Sequence, residues 1–316
     1  MARRTKLYFA TDVHGSEQCF RKFLNAGPAY GADVMVLGGD LAGKAIQALD
    51  DLGGGRYQTT FRGRSYDIDG AEELQQVERM ISDLGYYPYR CPPGELDARI
   101  ADGSVEALLL ELMLRRLEEW MALADERLRP RGTPVFWMLG NDDPPELRAA
   151  LDEAPWGKQA EGRVLDVDGF ALVSWGYSNP TPWDSFREMS EDELRGHFDE
   201  LFAQVPDPRR VVFNAHVPPF DSGLDEAPML DGDLTVQQSA GQVKLGAVGS
   251  TAVRAAIEHY QPIVSLHGHV HESAGFRRLG ATMAVNPGSD YGTGALNGAL
   301  MTLSGDKLKA HQLVRG

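Results

Sequence analysis

The chain has 316 residues, with 31 Lys and Arg against 46 Asp and Glu, for a formal charge of -15 at pH 7. That acidic excess speaks against nonspecific binding to nucleic acid or an anionic membrane, although an anionic substrate is still acceptable where bound cations set the local potential. Two cysteines, Cys19 and Cys91, are too few for a disulfide framework, and no stretch nears the ~20 apolar residues of a membrane helix, so a soluble cytoplasmic protein is expected.

In chain order, the start Met1-Ala2-Arg3-Arg4 is like the basic head of a signal peptide, but the apolar run behind it is too short for one. That run, residues 7–10, reads as a buried strand that leads into Asp12, Val13, His14 and Gly15. Residues i and i+2 of an extended segment share a side, so Asp12 and His14 can reach one ion. A helix is expected over 16–25 with Ser16 as N-cap, followed by a strand over 34–37 that ends in Gly38, Gly39 and Asp40. Near-continuous apolar strands separated by a helix argue for an α/β fold.

From 44 to 132 the rhythm breaks. Residues 57–61 and 65–68 flank Arg62-Gly63-Arg64 as a β-hairpin, 71–84 read as helix, and 85–90 read as an aromatic loop. Ser104 then opens a long helix to about 128, with a broad stripe running from Val105 through Trp120 to Ala124. The block is expected to be an insertion packed against the main domain, without an obvious core of its own, in a single domain spanning 1–316. Arg56, Arg62, Arg64, Tyr86, Tyr87, Tyr89 and Arg90 could form a cap that reads a phosphate and stacks on a base. A solvated hairpin and a packed aromatic loop is the favoured alternative.

The α/β pattern resumes at 134–139, which ends in Gly140, Asn141, Asp142 and Asp143. Further apolar runs follow at 171–175, at 211–213 ahead of His216, and at 263–266 ahead of His267, Gly268, His269 and His271, with a helix over 250–259 between the last two. Residues 221–249 look loop-like, 282–285 run into a turn at Asn286-Pro287-Gly288-Ser289, and a hairpin turning at 304–306 closes the chain. Ligand-type residues thus stand at five strand ends: Asp12 and His14, Asp40, Asn141, His216, and His269 and His271. Sites in open α/β sheets gather at the carboxyl ends of strands. Mixed oxygen and imidazole donors without thiolate suit Mn²⁺, Fe or Zn²⁺ better than Ca²⁺ or a structural zinc. Two such ions can clamp the attacking and leaving oxygens of a displacement at phosphorus and acidify a shared water. Asp40, with two oxygens, suits a bridging position, and Asn141 is a neutral ligand.

These motifs, Asp-x-His, Gly-Asp, Gly-Asn, His and Gly-His-x-His in that order, resemble those of the calcineurin-like metallophosphoesterases over the whole chain apart from the insertion. The last third resembles the branch related to bacterial cyclic-nucleotide phosphodiesterases. The resemblance implies a four-layer α/β/β/α sandwich of two mostly mixed β-sheets flanked by helices. It implies two divalent ions, Mn²⁺ first among Fe, Zn, Ni and Mg, with Asp12, His14 and His271 on one, Asn141, His216 and His269 on the other, and Asp40 bridging. The activity it implies is attack on phosphorus by a hydroxide shared between the ions. Many relatives carry a histidine after the Gly-Asn, which is taken to protonate the leaving group, and Asp142 stands there instead. An aspartate beside two cations should stay ionised and be a poor acid. The expected enzyme is therefore a phosphodiesterase acting on a small phosphoester, nucleotide-like at the most specific. A phosphomonoesterase or nucleotide pyrophosphatase is the runner-up, and a non-catalytic scaffold binding a protein partner is the alternative of another class. DNA is disfavoured as substrate by the charge.

Overall fold

A computed structural model describes residues 3–239 and 241–316. Strand alternation explains its layers. In the first strand, Arg4–Ala10, Leu7 and Phe9 point into one apolar cluster while Tyr8 and Ala10 point into another. The neighbouring strand Val34–Leu37 divides in the same way, with Val34 and Val36 inward and Met35 and Leu37 outward. Buried on both faces, such strands have no polar side to show, which is why they read as unbroken apolar runs.

The first sheet runs, in spatial order, Lys307–Arg315, Asn297–Ser304, Arg4–Ala10, Val34–Leu37, Val135–Trp137 and Lys158–Gln159. The second runs Gly275–Leu279, Thr282–Asn286, Val264–Leu266, Val211–Ala215, Phe170–Trp175 and Val164–Val167. Both mix parallel and antiparallel pairs. Their inner faces meet through Leu7, Phe9, Val36, Leu172, Val212 and Leu266. Helices Glu17–Tyr30 and Val105–Leu128 cover the outside of the first sheet, and Glu191–Phe202 and Thr251–Tyr260 cover the second. This is the expected four-layer sandwich. Among the described residues no helix is long and apolar enough to cross a membrane.

The stretch 44–132 differs from expectation in its strands and in its core. Residues 45–91 build a third sheet of four strands, in the order Arg64–Asp69, Arg56–Phe61, Ala45–Gly53 and Tyr86–Cys91, backed by helix Ala71–Asp83. It does have a small core, in which Leu49, Phe61 and Ile68 from the strands meet Leu74, Val77 and Ile81 from the helix. The expected aromatic loop is the strand Tyr86–Cys91, whose Pro88 is tolerated because the strand sits at the sheet edge. The long helix Val105–Leu128 is a layer of the sandwich itself, with Trp120 stacked on Phe20 at 4.2 Å. Residues 221–249, read as loop, hold two short antiparallel pairs, Glu226–Pro228 with Leu245–Ala247 and Gln238–Ser239 with Gln242–Val243.

Candidate metal centre

Every ligand-type residue read from the sequence lies just beyond the end of a strand. The loops after the first two strands are zipped together by backbone bonds from Asp12 to Gly39 (3.0 Å), His14 to Asp40 (2.9 Å) and Gly15 to Leu41 (2.7 Å). Within them Asp12, His14 and Asp40 have φ of 53°, 40° and 51°, and His269 has 66°. Left-handed backbone at non-glycine residues costs on the order of 1 kcal/mol or more each and persists only where surroundings enforce it. Here the zipped loops enforce it, and the turned side chains converge.

Three overlapping groups result: Asp12 with His14 and His271, Asp12 with Asp40 and His216, and His14 with Asp40 and Asp142. His14 Nε2 lies 3.1 Å from His271 Nε2, which is 3.4 Å from Asp12 Oδ1. Asp40 Oδ2 lies 3.6 Å from His14 Nε2 and 3.3 Å from His216 Nε2. His269 stands outside these groups but against Asn141, with its Nδ1 2.7 Å from Asn141 Oδ1. The Asn141 amide is oriented from behind, since its Nδ2 donates to Ser185 Oγ (2.8 Å) and to Asp142 Oδ1 (3.1 Å). His216 is oriented likewise by its Nδ1 against the Gly38 carbonyl at 2.9 Å, which leaves its buried Nε2 facing the carboxylates without a hydrogen bond. An orphaned imidazole nitrogen set among buried carboxylates and further imidazoles is a donor set that a divalent cation fits.

The electrostatics agree with that fit. Burial would raise the Asp40 carboxyl, but His216, then His14 and His269, hold it well below the usual range. Burial is likewise outweighed at Asp12, which His271 and His216 bring down to about 2. Burial lowers His14 and His269 to about 4, whereas at His216 the Asp40 and Asp12 carboxylates overcome burial and raise it to about 10. Without a cation, a proton on His216 supplies the charge that the two carboxylates demand.

Several further residues support this cluster. Asp143, fully buried, accepts from the amides of Leu41 (3.0 Å), Ala42 (2.8 Å) and Gly140 (2.8 Å), and so ties the Asp40 loop to the Asn141 loop. Lys44 forms an ion pair with Asp142, the residue expected as a neighbour on the leaving-group side. The Tyr291 ring lies 4.6 Å from that of His14. Asn286, read as a turn former, donates to the carbonyls of Leu224, Gly268 and Val270, and Ser289 Oγ donates to Asp12 O at 2.7 Å, so this turn braces two ligand loops. His267 is a core histidine that also fixes the His216 segment, with its Nδ1 between the carbonyls of Ala215 (2.8 Å) and Val217 (3.0 Å). Among the basic and aromatic residues of 45–91, Tyr87 is buried and accepts from Gly43 N, Arg90 pairs with Glu78 and Tyr89 donates to Glu95, while Arg56, Arg62 and Arg64 are exposed.

Comparison with other proteins gives the fold an independent footing. No family model matches the chain. The uncharacterized protein MJ1162 of Methanocaldococcus jannaschii is 28% identical over 156 residues, which cover 48% of this chain and 63% of that protein, so the chain spans under two thirds of this relative. The crystal structure of TT1561 from Thermus thermophilus aligns over 100% of this chain and 99% of its own at 14% identity, with a TM-score of 0.55, and the two share a fold. An archaeal phosphodiesterase aligns over 99% of this chain and 100% of its own at 10% identity and a TM-score of 0.35, too distant a likeness to carry function.

Proposed function

We propose that this chain, which has the two-sheet sandwich and the ordered ligand motifs of the calcineurin-like metallophosphoesterases, is a phosphohydrolase that uses two divalent cations and prefers phosphodiesters. The observation that carries the reading is the overlap of the ligand groups: Asp12, His14 and Asp40 each belong to two of them. Shared ligands are what neighbouring ions need, and Asp40 Oδ2, between His14 and His216, suits the bridge. Asp12, His14 and His271 would hold one ion, and Asn141, His216 and His269 the other. Bound there, the pair would polarise the phosphoryl oxygens and bring the pKa of a shared water toward neutrality. Mn²⁺ is the first candidate for such donors, with Fe, Zn²⁺, Ni²⁺ and Mg²⁺ behind it.

The chain's own residues supply orientation. Ser185 and Gly38 fix the donor atoms of Asn141 and His216, and Asp143 ties the Asp40 loop to the Asn141 loop. Asp142 stays a neighbour of Asp40 through its own amide, which donates to Asp40 Oδ1 at 3.1 Å, while its carboxylate holds the Lys44 ammonium. Burial and Asp40 raise the Asp142 carboxyl and the Lys44 pairing opposes that rise, while the ammonium itself favours an anionic ester. The two free cysteines, both buried, fit a reducing compartment such as the cytoplasm.

The test is to strip the protein with chelator and assay bis-p-nitrophenyl phosphate and p-nitrophenyl phosphate in parallel with Mn²⁺ restored, with Asp40→Asn as control. Metal-dependent diester turnover that the control loses supports the proposal. Faster monoester turnover makes the protein a phosphomonoesterase, and metal binding without any turnover makes it a scaffold.

A further inference from the structure

We propose that the loop bearing Trp183 and Phe186 is an aromatic platform that takes a planar group of the substrate, a nucleobase or aryl ring esterified to the phosphate. The inference rests on the phosphohydrolase reading and adds the class of substrate to it.

Both rings stand in solvent, Trp183 at 64% exposure and Phe186 at 66%. Large aromatic side chains left out of the core of an ordered loop suit a binding surface better than a packing role. The loop beneath them is tightly held. The Glu188 carboxylate accepts from Thr181 N (2.9 Å), Thr181 Oγ1 (2.6 Å), Ser185 N (2.9 Å) and Ser185 Oγ (2.6 Å), and Ser178 N donates to Arg187 O at 3.1 Å across the neck.

The same loop is fastened to the metal centre. Ser185 Oγ accepts from the Asn141 amide, Arg187 N donates to Asn141 O at 3.1 Å, and the buried Arg187 guanidinium donates to Gly140 O at 2.9 Å and pairs with Glu161. Phe186 is next to Ser185 in sequence and Trp183 two residues away, so their Cα atoms lie within about 7 Å of the Ser185 Cα. A phosphoester centred on the ions must send its non-reacting group out of the site, and the loop that carries both exposed rings is the one fastened to Asn141 and Gly140. Ring faces stack on any base and need no hydrogen-bond code, so the platform selects planar over aliphatic groups.

The measurement compares two diesters with one leaving group, thymidine 5′-(p-nitrophenyl phosphate) and methyl p-nitrophenyl phosphate, on the Mn²⁺-loaded enzyme. The wild type should favour the nucleoside ester in kcat/KM by about 10-fold or more. Trp183→Ala with Phe186→Ala should erase that preference mainly through KM, with the melting temperature held within about 2 °C. In a separate titration, adenosine monophosphate should quench the tryptophan fluorescence of the wild type but not that of Trp183→Phe. An unchanged ratio in the double variant, or equal losses on both esters, overturns the platform, as does a change of sedimentation that marks the rings as a contact between protein chains. If no phosphoester is turned over, the phosphohydrolase reading fails, while the quenching titration still decides the platform.

Discussion

Replacing Gly140 by alanine adds one methyl group and no charge, yet it should cripple the site. A Cβ at that position would lie 2.7 Å from Asp40 Cγ, with Asp40 Oδ1 and N nearer still. The carboxylate would have to retreat by at least roughly 0.7 Å to regain ordinary contact, and misplacement approaching 1 Å in a reacting constellation costs on the order of 10²-fold. Since Asp40 faces both His14 and His216, both ions should be felt. We expect Mn²⁺ affinity to fall by about 10- to 100-fold, the range for disturbed metal surroundings, and kcat/KM for bis-p-nitrophenyl phosphate to fall with it. The natural control is Gly196→Ala on helix Glu191–Phe202, where a Cβ meets nothing within 4 Å and alanine should stabilise by about 0.5–1 kcal/mol. Calorimetric Mn²⁺ titration and steady-state kinetics decide. A Gly140→Ala protein with wild-type metal affinity and rate would refute the reasoning that packing against Gly140 holds Asp40 in place.

Two further outcomes follow from the same geometry. The cation-free protein should lose stability as pH rises from 6.5 toward about 10: His216 is held above its ordinary value by Asp40 and Asp12 against burial, so its contribution is complete below 6.5 and vanishes as it deprotonates. Mn²⁺ should remove that decline, and thermal melts of chelated and loaded protein across this range would expose the error if the two curves ran parallel. Arg187→Met should destabilise by about 3 kcal/mol in urea unfolding, because it leaves the buried Glu161 carboxylate with only the looser pairing to Arg148 at 3.5 Å and the Gly176 amide at 3.1 Å; adding Glu161→Gln should recover much of the loss, and no recovery would place the cost elsewhere.

Ligand residues were legible because each sits just past an apolar run, where a polar side chain stands out. The pairing of sheets into a sandwich came through the motif resemblance, not through periodicity. Ala45–Gly53 was missed as a strand since Asp50 and Asp51 interrupt its apolar pattern, and Tyr86–Cys91 was missed because Pro88 speaks against a central strand but not an edge. The long helix Val105–Leu128 was found, although its stripe of Leu and Met says that a face is buried without saying against what. Lys44, Asp143 and Ser185 escaped for another reason. Each is an ordinary loop residue until the fold carries it to a partner far along the chain: Asp142 for Lys44, Leu41 and Ala42 for Asp143, and Asn141 for Ser185.

The topology of the first sheet has a consequence for how the protein comes into being. Strand Arg4–Ala10 can pair with Val34–Leu37 as soon as both have been made, but its other edge waits for Asn297–Ser304. At cellular synthesis rates that wait is on the order of 15 to 60 s, during which an apolar strand keeps an open edge and depends on chaperones or on neighbouring helices for cover. The site is subject to the same delay, because His14 and His271, which face each other, are 257 positions apart. A nascent chain can offer a cation Asp12, His14 and Asp40 early but not the imidazoles that complete the cluster. Tight capture of metal would therefore distinguish a finished molecule from an unfinished one.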